Sequence, residues 1–243
     1  MNFTQIVDSS TDVLVSSVVE KTIATIGHNW KQGRSAHIVL TGGRTGVQIA
    51  QTLDTEIFRL FNADTFDAPH VDIWFSDERF TDLADPERTD TKLIAAFEKS
   101  SHISGLAITF HRVGSPLDMT LSAAADAYAN ELESSLGEHR FDSVILSMGE
   151  DGHIASLFPG LATTAHSTKS AVAVDNSPKP PAERVSISVD RLALASAIYI
   201  FALGEGKREA LTTFIQHKIG PVALVQEAAT FGQMVIATDL KIQ

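Results

Sequence analysis

Short runs of hydrophobic residues alternate along the chain with longer segments in which hydrophobic residues recur every three or four positions. The short runs are typical of strands buried on both faces, and the longer segments are typical of amphipathic helices. The predicted strands cover residues 36–40, 71–75, 107–111, 144–146, 171–174, 185–189, 197–203 and 234–237. The predicted helices cover residues 11–30, the segment from Val47 to Leu60, a segment holding Leu93, Ile94 and Phe97, and residues 119–136 and 207–217.

This order of strands and helices predicts an α/β fold of the three-layer, doubly wound type, with a mainly parallel sheet flanked by helices. The strand at residues 185–189 follows a proline-rich turn at 177–181, so we expect the sheet to be mixed at that point. No linker-like stretch and no repeat of fixed period interrupts the chain, which predicts a single domain over residues 1–243.

Composition and charge narrow the classes of function. The 243 residues are 44% hydrophobic, enough for a core, and no apolar run approaches the roughly 18 residues of a membrane span. The first residues do not form a signal peptide, so we expect a cytoplasmic protein that does not associate with membranes. The absence of cysteine excludes disulfides, thiolate zinc sites and cysteine nucleophiles. A net charge of −11 argues against nucleic-acid binding, and an anionic small substrate would need local cations.

The segment 141–160 contains the strongest chemical signal. A buried strand ends there at Gly149-Glu150-Asp151-Gly152-His153, a glycine turn that holds a histidine next to a carboxylate. Such a pair is suited to general-base chemistry near neutral pH. Residues 154–158 predict a helix of about one and a half turns, which Pro159 and Gly160 end. None of the nine histidines shows a metal-binding spacing, and Gly-x-Ser-x-Gly is absent, so we expect neither a metal nor a serine nucleophile.

Four other turns follow predicted strands or lie beside them: Thr41-Gly42-Gly43-Arg44-Thr45-Gly46, Ser76-Asp77-Glu78-Arg79, the loop 177–181 with Arg184, and Gly204-Glu205-Gly206-Lys207-Arg208. Backbone amides of a glycine turn and nearby guanidinium or ammonium groups can bind a phosphate or an oxyanion. Each turn also has an ordinary structural interpretation, as a tight strand-to-helix turn, a capping acid with a surface ion pair, or a solvated lysine.

Taken in this order, the motifs resemble the 6-phosphogluconolactonase family and, through it, the Rossmann-like fold of the glucosamine-6-phosphate deaminases and isomerases. The matching segments are Thr41 to Thr45, Asp77-Glu78-Arg79 with Asp85-Pro86-Glu87-Arg88, residues 149–160, residues 176–181 with Arg184, and residues 204–207.

The resemblance implies hydrolysis of 6-phospho-D-glucono-1,5-lactone to 6-phosphogluconate, a step of the oxidative pentose phosphate pathway, without a cofactor or metal. It implies that His153 is the general base, that Asp151 orients it, and that Arg79 binds substrate or stabilises the oxyanion. The substrate-binding residues it implies are Gly42, Gly43, Arg44, Thr45, Asp77, Lys179, Arg184 and Lys207. The expected partner is a small sugar phosphate, and the protein itself is expected to be a monomer or a weak homo-oligomer.

The sequence departs from the family pattern at several positions. Arg44 and Gly46 replace a serine and a proline, Thr89 replaces an asparagine, Met148 replaces a glycine, and the usual tryptophan near the end is absent. One alternative is a deaminase or isomerase acting on an amino-sugar phosphate. The motif of the deaminases resembles Asp-Glu-Tyr, however, where this chain has Asp77-Glu78-Arg79. At the positions that match residues 155–159, the deaminase motif resembles Ala-Phe-Asn-Glu-Pro. This chain lacks the additional glutamate of that motif. A second alternative is a non-catalytic sugar-phosphate sensor.

Overall fold

The computed structural model describes residues 2–137 and 139–242. Seven parallel strands form the main sheet, in the order β1-β10-β9-β6-β2-β3-β5. These strands are β1 (Phe3–Val7), β2 (Ala36–Leu40), β3 (His70–Phe75), β5 (Ala107–His111), β6 (Ser143–Ser147), β9 (Ala197–Ala202) and β10 (Gln233–Thr238). The predicted α/β class with a flanked parallel sheet is confirmed.

A second, three-stranded antiparallel sheet lies apart from the main one, in the order β4-β8-β7. Its strands are β4 (Asp77–Arg79), β7 (Ala171–Val174) and β8 (Arg184–Ile187). The prediction of a mixed main sheet is therefore wrong, because the antiparallel strands pair only with one another. The polar residues of β4 have no hydrophobic alternation, and for that reason the sequence predicted a loop there.

Helices cover both faces of the main sheet. They are α1 (Thr11–Lys31), α2 (Gly43–Ala63), α3 (Thr89–Ile94), α4 (Leu121–Leu136), α5 (Val189–Ala193), α6 (Arg208–His217) and α7 (Pro221–Ala228), with 3₁₀ helices at Ala162–Thr164 and Glu205–Lys207. β1, α5 and α7 were not predicted. None of the described helices combines the length and the hydrophobicity needed to cross a membrane.

Successive residues of each central strand point to opposite faces, so a single strand contributes to two cores. In β6, Val144 and Leu146 join a core formed with α4, α5, α6, α7 and the small sheet. Ile145 joins a second core formed with α1, α2 and α3. Burial on both faces explains why β6 has an unbroken apolar sequence.

The connectivity determines where a ligand can bind. Within the main sheet, the next strand after β2 is β3 on one side, whereas the next strand after β6 is β9 on the other, and β2 and β6 are neighbours. A crevice forms at such a reversal of strand order, outside the carboxyl ends of the strands. The glycine turns after β2 and β6 both open onto it.

Candidate active site

A polar cavity of about 230 Å³ lies at this switch point. The predicted site residues that line it are Gly42, Gly43, Asp77, Arg79, His153, Lys179, Arg184 and Lys207. The small sheet contributes to this convergence because β4 pairs with β8, with Arg79 opposite Arg184. Although the chain has a net charge of −11, these lining residues include four cationic side chains and only one carboxylate. The cavity is therefore suited to an anionic ligand.

His153 and Asp151 form a hydrogen-bonded pair at the edge of the cavity. The distance from His153 Nδ1 to Asp151 Oδ1 is 2.5 Å, and the imidazole is 17% exposed. A carboxylate can only accept, so Nδ1 is the protonated nitrogen and donates to Asp151. Nε2 of the neutral ring then has a free lone pair and can accept a proton.

The electrostatic environment favours neutral His153 near pH 7. Burial is the largest influence and lowers the pKa of His153 below its ordinary value, and Lys179 lowers it further, while Asp151 and Asp77 oppose this shift. For Asp151, burial raises the pKa, but the hydrogen bond from His153 and the positive charge of Lys179 act in the opposite direction, and the pKa lies below its ordinary value. A neutral imidazole beside an ionised carboxylate is the protonation state that a general base requires.

Gly149 and Phe158 determine the position of the imidazole. A Cβ atom at Gly149 would lie only 2.0 Å from His153 Nδ1, so a larger residue would push the ring away. The Phe158 ring stacks on the imidazole with a centroid distance of 4.6 Å. Phe158 is itself buried, and so it supports one face of the ring.

Residues 154–158 do not form the predicted helix. They make a tight turn closed by a bridge between Ile154 and Leu157, with Ala155 at a φ of 50°. Ile154, Leu157 and Phe158 are buried in the turn conformation, and a helix this short would gain too few hydrogen bonds to form. The turn also directs the Ser156 hydroxyl to Asp77 Oδ2 at 2.6 Å.

Arg184 holds the proline-rich loop in place over the cavity. Its guanidinium donates to the backbone carbonyl oxygens of Lys179, Pro180 and Pro181, each at 3.1 Å. It also lies 3.8 Å from Asp77. Most of its donors are occupied by the protein, so Arg184 organises the loop that presents Lys179.

Lys179 lies beside the His153–Asp151 pair. Its Nζ is 3.5 Å from Asp151 Oδ1 and 3.3 Å from His153 Nδ1. Because Nδ1 carries a proton, the attraction is to Asp151. Lys207, in the 3₁₀ helix after β9, lines the same cavity, and among the described residues its side chain has no hydrogen bond or ion pair.

A second cavity, of about 370 Å³, adjoins the first and shares Gly42, Gly43, Arg79 and Thr89 with it. Arg44 lines this second cavity and not the first, and its side chain is exposed. Thr45 is in the first turn of α2 and lines neither cavity. Arg79 lies between the two and donates to Glu87 O at 2.8 Å and Thr89 Oγ1 at 3.2 Å.

Sequence reasoning did not identify Ser156 and Phe158 as part of the site, because it assigned both to a helix. Their position inside the segment 149–160 was the available signal. Thr89 was recognised only as a departure from the family pattern, whereas the structure places it against Arg79 and Gly42. Within residues 2–137 and 139–242, no cluster of three His, Asp or Glu side chains is arranged to hold a metal ion.

Comparison with known proteins identifies the family of this chain. The model of the family described as glucosamine-6-phosphate isomerases/6-phosphogluconolactonase matches residues 9–236. A 6-phosphogluconolactonase of Streptomyces coelicolor is 33% identical over 186 residues, which cover 73% of this chain and 69% of the relative. A 6-phosphogluconolactonase of Mycobacterium tuberculosis is 30% identical over 213 residues, which cover 84% of this chain and 82% of the relative.

Solved structures show the same fold. The 6-phosphogluconolactonase from Trypanosoma cruzi matches with a TM-score of 0.81 at 22% identity, covering 98% of this chain and 94% of that chain. The structure from Shewanella baltica matches with a TM-score of 0.78 at 22% identity, covering 98% of both chains. The predicted resemblance is confirmed, and the chain belongs to the glucosamine-6-phosphate isomerase/6-phosphogluconolactonase family.

Proposed function

We propose that this chain hydrolyses 6-phospho-D-glucono-1,5-lactone to 6-phosphogluconate, with His153 as general base. The observation that supports this most directly is the His153–Asp151 pair at the edge of a cavity lined by Arg79, Lys179 and Lys207. The names of the relatives at about 30% identity agree with this substrate.

The reaction needs an activated water and a site for developing negative charge. His153 Nε2 takes a proton from water as the water oxygen bonds to the lactone carbonyl carbon, and the carbonyl oxygen becomes an oxyanion. The tetrahedral intermediate then collapses, the bond from that carbon to the ring oxygen breaks, and the imidazolium returns the proton to the ring oxygen. Water is added, no covalent enzyme intermediate is needed, and the new carboxyl group ionises in solution.

Asp151 and the cations have separate roles in this proposal. Asp151 holds the imidazole through Nδ1 and stabilises the imidazolium that forms during the attack. Arg79 stabilises the oxyanion or binds the substrate. Lys207 and the backbone amides of Gly42 and Gly43 bind the phosphate. Gly43 has a φ of +77°, in the region that favours glycine, so the turn is built for close approach of a ligand.

The test is hydrolysis of freshly made lactone by wild type and His153→Ala, corrected for spontaneous ring opening. We expect the variant to fold and to lose about 10²–10⁴-fold in kcat/KM. His166→Ala is the matched control, because His166 also bonds an aspartate but is 52% exposed and outside the cavity. Equal rates for wild type and His153→Ala would remove His153 from the mechanism.

A parallel assay with glucosamine 6-phosphate separates the lactonase from the deaminase, because only the deaminase releases ammonia. The structure supplies a physical reason to expect no ammonia. Phe158 occupies the position that matches the deaminase glutamate, and its ring packs against His153. A sensor would bind 6-phosphogluconate without accelerating lactone hydrolysis.

A further inference from the structure

Glu78 is a buried carboxylate located between two residues of the cavity. Asp77 and Arg79 line the cavity, and strand alternation sends the intervening Glu78 side chain to the opposite face of β4. Its side chain is 0% exposed. Burying a carboxylate is costly unless its oxygens are hydrogen-bonded.

The Glu78 carboxylate accepts three backbone hydrogen bonds. Oε1 accepts from Arg79 N and Thr89 N, both at 2.8 Å, and Oε2 accepts from Asp90 N at 2.7 Å. Thr89 and Asp90 are the first two residues of α3, whose N-cap residue Arg88 provides no side-chain cap. Glu78 therefore caps α3 from a different element and fixes β4 to it.

Glu78 holds Thr89, which is one of the two residues that accept a hydrogen bond from the Arg79 guanidinium; the other is Glu87, through its backbone carbonyl. Thr89 Oγ1 accepts from the Arg79 guanidinium at 3.2 Å. The same hydroxyl lies against the glycine turn, since a Cβ atom at Gly42 would be 2.9 Å from it. A shift of Thr89 would therefore move both Arg79 and the wall formed by Gly42.

Charged side chains surround Glu78. Arg88 is fully buried, lies 3.9 Å from Glu78 and is bonded to Asp90 at 2.7 Å, and Arg112 bonds Asp90 at 2.9 Å. Burial and then Asp90 raise the pKa of Glu78 to about 7, against the hydrogen bonds from the amides of Asp90 and Thr89 and the charge of Arg88.

We propose that Glu78 is a positioning residue: through the Thr89 and Arg79 amides it holds the Arg79 guanidinium in the cavity in the orientation that the substrate requires. This rests on the proposed function, in which Arg79 binds the substrate or its oxyanion.

A double-mutant cycle separates positioning from a purely structural role. We expect Glu78→Gln to lower kcat/KM for the lactone about tenfold, because the amide nitrogen of glutamine cannot accept the bond from Asp90 N. We expect Arg79→Ala to lower it about 100-fold and the double variant to be no worse than Arg79→Ala. Multiplicative losses, near 1000-fold, or an unchanged Glu78→Gln rate would overturn the inference.

Thr89→Val provides a second cycle that does not disturb the buried charges. It removes the hydroxyl that accepts from Arg79, and we expect a loss of about fivefold that disappears in the Arg79→Ala background. Asp54→Asn is the matched control, because Asp54 is also buried and accepts from Lys99 N and Ser100 N far from the cavity. It should lower stability and leave kcat/KM unchanged.

The same cycles are measured with the dissociation constant of 6-phosphogluconate. If wild type does not accelerate lactone hydrolysis, the proposed function fails, and the binding cycle still decides the role of Glu78. Non-additive losses of affinity support positioning of Arg79, and additive losses contradict it.

Discussion

Replacing Gly149 by alanine is the most direct perturbation of the His153–Asp151 pair, the proposed catalytic pair. The added Cβ would lie 2.0 Å from His153 Nδ1, 2.1 Å from its Cε1 and 2.5 Å from Asp151 Oδ1. Non-bonded atoms essentially never approach a Cβ closer than 3.0 Å, so the new Cβ and the imidazole must move apart by about 1 Å. The ring is backed by Phe158 and cannot move without losing that stacking or the bond to Asp151.

A displacement of about 1 Å at a catalytic group costs on the order of 10² in rate. The overpacking itself is expected to cost about 1–3 kcal/mol of stability. We therefore expect Gly149→Ala to reduce kcat/KM for the lactone about 100-fold while the protein remains folded at 25 °C. Addition of Gly149→Ala to His153→Ala should cause little further loss, because the group that it displaces is already absent.

The assay is initial-rate hydrolysis of fresh lactone together with urea unfolding of each variant. Gly27→Ala is the control, since Gly27 lies in α1 and its added Cβ would meet only the flexible Leu60 side chain at 3.3 Å. A folded Gly149→Ala protein with the wild-type kcat/KM would refute the reasoning, because activity would then not depend on where the His153–Asp151 pair is held.

Two further predictions concern the pH profile and the stability of the fold. Since Lys179 lowers the pKa of His153 and Asp151 raises it, Lys179→Met should move the acidic limb of kcat/KM to higher pH, and Asp151→Asn should move it to lower pH. Profiles measured between about pH 5 and 8 test this, and shifts of the same sign would contradict it. Tyr128→Phe removes the buried hydroxyl that bonds Phe75 N at 3.0 Å and Phe75 O at 2.9 Å, so unfolding in urea should show a loss of about 1–3 kcal/mol, whereas an unchanged midpoint would contradict the role of that hydroxyl.

Local periodicity accounts for the parts of the fold that the sequence predicted well. The helix expected at 11–30 is α1 (Thr11–Lys31), and the strand expected at 36–40 is β2. These elements were predictable because burying one face of a helix, or both faces of a strand, requires hydrophobic residues at a regular spacing, and that spacing is visible in the sequence. The position of the glycine turns at the carboxyl ends of buried strands could be inferred for the same reason.

Elements that depend on distant partners could not be predicted in this way. β4 is a strand only because Asp77 to Arg79 pair with β8. The segment 154–158 forms a turn because that conformation buries its apolar side chains in the core and lets the Ser156 hydroxyl donate to Asp77. Neither reason is visible in the local pattern, since both involve residues far away in the chain.

The sequence by itself determined the α/β class, the family resemblance and the pairing of Asp151 with His153, because each depends on a continuous stretch of residues. Only the tertiary structure decided how the cations are used. It assigns the guanidinium of Arg184 to the proline-rich loop, places Lys179 beside Asp151, directs Arg44 to the second cavity and leaves Thr45 outside both cavities. The physical reason is that a charged side chain is oriented by whichever carbonyl or carboxylate oxygens the folded chain brings within hydrogen-bonding distance, and sequence spacing does not encode that distance.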